Sequence, residues 1–296
     1  MNILMVGGTG LVGAQAALLL TSEGHQVTIM ARKPSQAPAI AALPFVQGDY
    51  VNDDPSPFNL GQYDALVFCA GADIRYLPQD GSVTPEGFYS EVNDRAVPAF
   101  IAAAKAAGVK RAIYISTFYP QLAPEKIGQC PYVTSRHNTD VAVRALASDD
   151  FNVCSLSLPF VLGRVEGLEV GHIDALTAYA KGYLEGMPVF APLGGTNHIS
   201  SESVAHAISS ALEVAEPGRD YLLGDANLSW QAYLEAWFSA VGNPQELAVL
   251  EDDHPLLPNV IMFAGAGTTI RYDAGTELDY PRGQIPDLIK AIAHAS

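Results

Sequence analysis

Positive charge is scarce in this sequence. Sixteen lysines and arginines stand against 32 aspartates and glutamates, a formal net charge of −16 over 296 residues. A surface this acidic repels nucleic acid and anionic membranes, and no basic run offsets it, so neither is expected as a partner. Cysteine is scarce as well. Cys69, Cys130 and Cys154 lie far apart without metal-ligand spacing; they read as reduced core residues of a cytoplasmic protein, and no metal site is expected. No apolar run is long enough to span a bilayer. The first strand begins at once, which leaves no room for a leader peptide. Repeats and low-complexity segments are missing too. What is present is globular: 49% of residues are hydrophobic and 16% charged, enough chain for one large domain or two that share a core.

The informative stretch is the N-terminal one, Ile3-Leu4-Met5-Val6-Gly7-Gly8-Thr9-Gly10-Leu11-Val12-Gly13. An apolar run reads as a buried parallel strand, and an alanine-rich helix follows the glycine turn. Gly7 suits a tight turn, Gly10 keeps side chains away from a pyrophosphate, and Gly13 lets the helix lie close to the strand. The helix start then offers free N–H groups and the positive end of its dipole to an anion. Gly7, Thr9, Gly10, Leu11, Val12 and Gly13 are therefore candidate dinucleotide contacts.

Further strands follow at Val27–Ala31, Phe45–Gln47, Asp64–Ala70, Ala112–Ile115 and Val153–Leu158, with helices over Leu11–Glu23, within Glu86–Ala107 and from Tyr132 to about Ala147. Pro98 predicts a kink or a late start in the second of these. Strands alternating with helices predict a doubly wound parallel sheet whose strand ends share one ligand-binding edge. The second strand ends in Arg32-Lys33. The pair reads as a site for the 2′-phosphate of NADP, since bases are few and these two are adjacent at the right strand end; solvated loop charges are the other reading. Asp49 either accepts from an adenine amino group or closes a turn, and Tyr50 can pack on the ring. Cys69-Ala70-Gly71 is expected beside the middle of the cofactor.

After Pro159 the rhythm changes. Helices are expected over Ile173–Leu184, Ser201–Ala215 and Ser229 to about Val241, with short strands at Val189-Phe190 and Tyr221–Leu223. Residues 1–162 are read as the dinucleotide-binding domain. Residues 163–296 are read as a smaller substrate-binding region interleaved with it, the helix near 201–215 being able to pack back on the first part.

The chain resembles the extended (atypical) short-chain dehydrogenases/reductases, the NAD(P)-dependent epimerase/dehydratase family. The matching pieces are the glycine turn, Gly48-Asp49, Val92-Asn93, Gly108-Val109-Lys110-Arg111, Ser116-Thr117, Pro131-Tyr132, Leu158-Pro159-Phe160-Val161-Leu162-Gly163, and His198-Ile199-Ser200 with Val204-Ala205. They keep the family's order over most of the chain. The resemblance implies an α/β Rossmann fold, NADP or alternatively NAD as cofactor, and Pro159, Phe160 and Val161 near it. It also implies a Tyr-x-x-x-Lys pair with a hydroxyl partner: Tyr132 as acid/base, Thr117 as partner, Ser116 beside it. Arg136 stands where the family has lysine, and no tyrosine here has a lysine four residues on. Arginine can supply the same charge, expected to lower the tyrosine pKa from about 10, and can hold the ribose. Its bulk and spread charge differ from those of an ammonium.

The expectation is an NADP-dependent oxidoreductase acting on a carbonyl or alcohol of a small molecule. A non-catalytic, redox-sensing NAD(P)-binding protein is the alternative, and a nucleotide-sugar epimerase or dehydratase a further one. Asp73, Arg75, Tyr76, Phe118, Tyr119, Arg164 and His172 follow strand ends and can face substrate or serve as loop residues. A homodimer through the helices around Asn93–Ala107 and Ser135–Ala147 is what the family often shows.

Overall fold

The structure is a computed structural model, and it describes residues 1–295. Strand β1 (Asn2–Val6) sends Ile3 and Met5 to one face of a sheet and Leu4 and Val6 to the other, so it is buried on both. Then come α1 (Leu11–Ser22), β2 (Gln26–Ala31), a short α2 (Pro38–Ala41), β3 (Phe45–Gln47) and β4 (Ala65–Phe68). They are followed by α3 (Pro85–Tyr89), α4 (Ala96–Ala107), β5 (Arg111–Thr117), a short α5 (Tyr119–Leu122), α6 (Pro131–Arg144) and β6 (Asn152–Leu158). The second half supplies β7 (Phe160–Leu162), α7 (Gly171–Ala180), β8 (Ala191–Pro192), β9 (Gly195–Ser200), α8 (Ser201–Val214) and β10 (Asp220–Leu222). It ends with β11 (Ala226–Ser229), α9 (Trp230–Ala240), β12 (Val249–Leu250) and α10 (Ile285–Ala295).

Seven strands form one sheet in the order β10-β6-β5-β4-β1-β2-β3, with every neighbouring pair parallel. The order reverses between β1 and β4, and a doubly wound sheet opens its ligand crevice at that reversal. One face is covered by α1 and α8. Ala14, Ala16 and Ala17 of α1 and Val204, Ala205, Ile208 and Ala211 of α8 share a core cluster with Ile3, Met5 and Ile29. Small side chains on α1 let both the strand and α8 come close. The Ser200 hydroxyl accepts the Ser203 N–H and fixes where α8 begins. The Ser209 hydroxyl meets Glu23 at 2.7 Å. The opposite face carries Val97, Phe100 and Ile101 of α4 and Val143 of α6, over Leu4, Phe68 and Tyr114.

A second sheet, β11-β9-β7, and the helices α7, α9 and α10 enclose a further core around Tyr233, Leu234, Trp237 and Ile289. Among the described residues no helix is long and apolar enough to cross a membrane.

Some elements differ from the sequence expectation. The helix expected within Glu86–Ala107 is three pieces: α3, a π turn over Ser90–Arg95, and α4. Pro98, the third residue of α4, has no N–H for the carbonyl four residues back, and the wider turn directly ahead of α4 takes up the mismatch. The helix α7 begins and ends earlier than expected, and the strand expected at Val189-Phe190 forms at Ala191–Pro192 instead. Strands β9 and β11 were not foreseen, because Gly195-Thr196-Asn197-His198 is polar yet fully buried.

Candidate active site

The glycine turn is built by close approach. Gly7 has φ +81°, and a Cβ there would lie 2.8 Å from the Ala70 nitrogen on β4's exit. A Cβ on Gly13 would lie 2.6 Å from the Gly7 oxygen, so α1 can start where it does only with glycine at this position. Gly10 is different: a Cβ there would meet nothing nearer than the Gly7 oxygen at 3.6 Å. It N-caps α1 without a side-chain hydrogen bond, and no acidic residue occupies the first turn. The helix end is thus exposed, uncapped and free of negative charge, and it fits the pyrophosphate of a dinucleotide. Leu11 and Val12 turn their side chains to the core, leaving backbone at the turn, while Thr9 is half-buried beside Gly10.

Arg32 and Lys33 leave the end of β2 exposed. Asp49 serves its own turn: its carboxylate accepts the Val51 N–H at 3.0 Å and the Asn52 amide at 2.9 Å. Of the two readings from sequence, that is the local one, with lone pairs left on the same oxygens. Tyr50 packs edge-on against Phe68, ring centres 5.1 Å apart. Burial pushes its hydroxyl up to about 12, while Arg136 and Arg32 pull the other way.

Past β4, the Cys69 sulfur lies 3.7 Å from the Met5 sulfur, and burial pushes the thiol up to about 12. Its side chain belongs to the core, so this segment offers the crevice Ala70, Gly71 and backbone. The loop is held from behind by Asn93 in the π turn. Asn93 is fully buried; its carbonyl accepts the Ala72 N–H at 2.8 Å and its amide donates to the Ala72 oxygen at 3.0 Å.

Tyr132, in the first turn of α6, faces the strand end that carries Thr117. Tyr132 is half-buried, and the Thr117 hydroxyl lies near enough to its phenol to favour the phenolate. Arg136 stands one helical turn further on, on the same side of α6. It is 6% exposed, its Nη2 donates to the Ile115 oxygen at 2.7 Å, and its guanidinium lies over the Tyr114 ring at 5.3 Å. Its Nε is buried without a partner among the described residues. Gly71 touches it: a Cβ there would lie 2.8 Å from Nη1. Burial alone would lower the Arg136 pKa, but the facing Tyr114, Tyr132, Tyr50 and Asp140 outweigh that and raise it. The site therefore holds a fixed positive charge.

The expected effect of that charge on Tyr132 is only partly realised. Burial raises the phenol pKa most; Arg136 pulls it down, Asp73 raises it, and Arg75 and Thr117 lower it, for a net rise. Burial was the competing effect that spacing in the sequence did not display. Ser116, next to Thr117, is 4% exposed, and its hydroxyl is without a partner among the described residues.

Of the three residues after β6, Pro159 is buried at the strand end and Val161 packs on the main core. Phe160 turns away from the crevice, its ring packing against His198 at 5.3 Å and Trp230 at 5.7 Å. The sequence reading missed Phe263, whose ring stacks on Tyr132 with centroids 4.2 Å apart. It lies 131 positions away in a proline- and glycine-rich loop, and no local pattern marks it. A concavity of about 820 Å³ around Lys110, Asn152 and Pro217 lies at the opposite end of β5 and β6, away from Tyr132.

Residues 7–152 match the family model described as NAD(P)H-binding. That match spans just under half of the chain and is in keeping with the resemblance to the extended short-chain dehydrogenases/reductases that the sequence motifs carry. A 3β-hydroxysteroid dehydrogenase/Δ5→4-isomerase of Mycobacterium tuberculosis is 33% identical over 120 residues, which is 39% of this chain and 31% of that relative. The chain thus matches about a third of the length of this curated relative. Among solved structures, the UDP-N-acetylglucosamine 4-epimerase of Bacillus cereus covers 100% of this chain and 99% of its own, with TM-score 0.74 and 16% identity. The UDP-glucuronic acid 4-epimerase of the same organism, in complex with NAD, covers 99% and 98%, with TM-score 0.73 and 17% identity. Identities this low establish the shared fold.

Proposed function

We propose that this protein is an NADP-dependent oxidoreductase that reduces a carbonyl, or oxidises an alcohol, on a small molecule. One observation carries the reading: the Tyr132 phenol has the Thr117 hydroxyl near it and the buried Arg136 cation one helical turn on, in a fold where the uncapped start of α1 fits a dinucleotide. Gly7, Thr9, Gly10 and Gly13, with the backbone of Leu11 and Val12, hold the pyrophosphate, and Arg32 and Lys33 take the 2′-phosphate. Ala70 and Gly71 line the middle of the cofactor, with Tyr50 at its adenine end and Pro159 and Val161 past the nicotinamide. The bound nicotinamide supplies or accepts the hydride.

The chain's own part is the proton. Tyr132 gives its phenolic proton to the carbonyl oxygen, and Thr117 donates a hydrogen bond to that oxygen. Arg136 stabilises the phenolate left behind. It opposes the burial that raises the phenol pKa, without cancelling it. Ser116 sits at the same strand end as a second hydroxyl. The protein works in the cytoplasm as a homodimer.

Calorimetric titration with NADPH and NADH in parallel tests the cofactor assignment, with Arg32→Ala as control. Tight NADPH binding that the substitution weakens supports it. Equal binding of both coenzymes removes Arg32 from the site and favours NAD-linked epimerase chemistry, the activity named for the two solved relatives.

A second reading has its own observation. The guanidinium of Arg136 is committed to the Ile115 oxygen and the Tyr132 pKa is raised, which suits an NAD(P)-binding regulator without turnover. Arg136→Lys separates the two. A sharp rise in turnover marks a weak enzyme; unchanged inactivity with tight coenzyme binding marks a binding protein.

A further inference from the structure

The proton donor proposed above is surrounded by rings. Phe263 stacks on Tyr132 at 4.2 Å with 26° between planes, and Tyr89 meets its edge at 5.7 Å. Tyr119 meets the edge of Phe263 at 5.5 Å. That contact sets the loop against the short helix that follows Thr117. Downstream, Ala264 and Ile270 pack with Phe118 and Ala123. The Ile270 N–H donates to the Gly195 oxygen at 3.0 Å, the Gly195 N–H to the Thr268 oxygen at 3.2 Å, and the Tyr272 hydroxyl to the Leu223 oxygen at 2.5 Å. The segment 259–272 is therefore a strap fastened on both sides of Phe263.

Charge near this wall is already matched. Arg75 closes in bidentate fashion on Asp73, with contacts of 3.0 and 2.5 Å, and Arg136 is held by Ile115. Lys126 reaches the strap at Gly265, beyond Phe263. A sugar diphosphate needs a cluster of cations aimed at it, and here the two guanidiniums next to Tyr132 are turned to protein acceptors.

We infer that Phe263 is a specificity-determining residue, and that the half-buried rings of Phe263 and Tyr119, backed by Tyr89, select uncharged, apolar cyclic carbonyl compounds over phosphorylated or polyhydroxylated ones. The inference rests on the oxidoreductase reading and names its substrate class. A flat alicyclic body buries its faces against rings at no cost in unpaired polar groups, whereas a polyol leaves its hydroxyls without partners there.

The test uses the full-length protein saturated with NADPH for turnover and with NADP+ for binding. The probes are 2-decalone, dihydroxyacetone and UDP-glucose. 2-Decalone is expected to be preferred in kcat/KM. Phe263→Ala is expected to lower its kcat/KM about tenfold through KM, leaving dihydroxyacetone within about twofold, and Phe263→Leu to fall between. Calorimetric binding of 2-decalone to the NADP+ complex gives the same order without turnover. If UDP-glucose binds more tightly than 2-decalone, or if Phe263→Ala affects both ketones equally, the inference is overturned. If NADPH fails to bind, the oxidoreductase reading falls first, and the titration reports that separately.

Discussion

Gly71 and Arg136 form a matched pair, and Gly71→Ala tests whether they do. The added Cβ would sit 2.8 Å from Nη1, closer than a carbon and a nitrogen can stand without something moving. A terminal nitrogen on an exposed arginine would simply swing away. This one is 6% exposed, its Nη2 is bonded to the Ile115 oxygen at 2.7 Å, and its plane lies on the Tyr114 ring. Swinging away therefore loses a buried charge-assisted hydrogen bond, worth about 1.5–3 kcal/mol. Overpacking in a rigid site costs a similar amount, so a destabilisation of about 2 kcal/mol is expected. In an Arg136→Lys background the clashing nitrogen is absent, and the same substitution is expected to cost under about 0.5 kcal/mol. The coupling energy between the two positions is then about 1.5 kcal/mol, well above the scatter of independent sites. Urea denaturation of the four proteins in the cycle measures it. NADPH affinity measured by calorimetry on the same four should follow the same pattern, because Gly71 lines the proposed cofactor crevice. Additive effects within about 0.5 kcal/mol would refute the pairing. Arg136 would then be an ordinary occupant of the lysine position, with no demand on its neighbour.

Three other outcomes follow from the same physics. Asn93→Ala leaves the N–H and the carbonyl of buried Ala72 without partners, at a cost of about 2–4 kcal/mol in urea denaturation together with weakened NADPH binding; a loss under about 1 kcal/mol would show that water replaces the amide freely. Asp220 accepts from Ser157 and Gln121, and its carboxyl is pushed up to about 6, chiefly by burial and next by Asp140. Its folded pKa lies above the unfolded value of about 4, so the native state binds the extra proton. Stability should fall as pH rises from about 4 to about 6, by about 2–3 kcal/mol, and then level off; Asp220→Asn should remove that slope, and an unchanged slope would refute the assignment. The proposed homodimer should scatter light at twice the chain mass, and Val141→Glu, on the outer face of α6 where Val141 is 46% exposed, should halve it; a monomeric mass for the parent protein rejects the dimer.

What the sequence displayed, and what it hid, divides by the range of the interactions involved. The β1–turn–α1 unit was legible because strand, glycines and helix are consecutive, and each glycine answers a contact within the unit or with the neighbouring strand. The parallel sheet followed from the alternation of apolar runs with alanine-rich helices. Tyr132 and Arg136 could be paired because a helix brings residues four apart together. The surroundings of that pair were not legible. Gly71 reads locally as one more loop glycine; only the fold shows that its missing Cβ is the space into which the Arg136 guanidinium extends. Tyr114 reads as a core strand residue, yet its ring is the floor under that cation. Phe263 reads as a loop aromatic 131 positions beyond Tyr132. The net rise of the Tyr132 pKa follows from these same long-range contacts, since the rings that enclose the phenol also remove the water that would solvate its anion. The acid/base proposed at Tyr132 depends on enclosure for its tuning and is therefore incomplete as a motif. The arginine, the glycine that makes room for it and the rings that cover Tyr132 have to be considered together, because each sets the surroundings of the next.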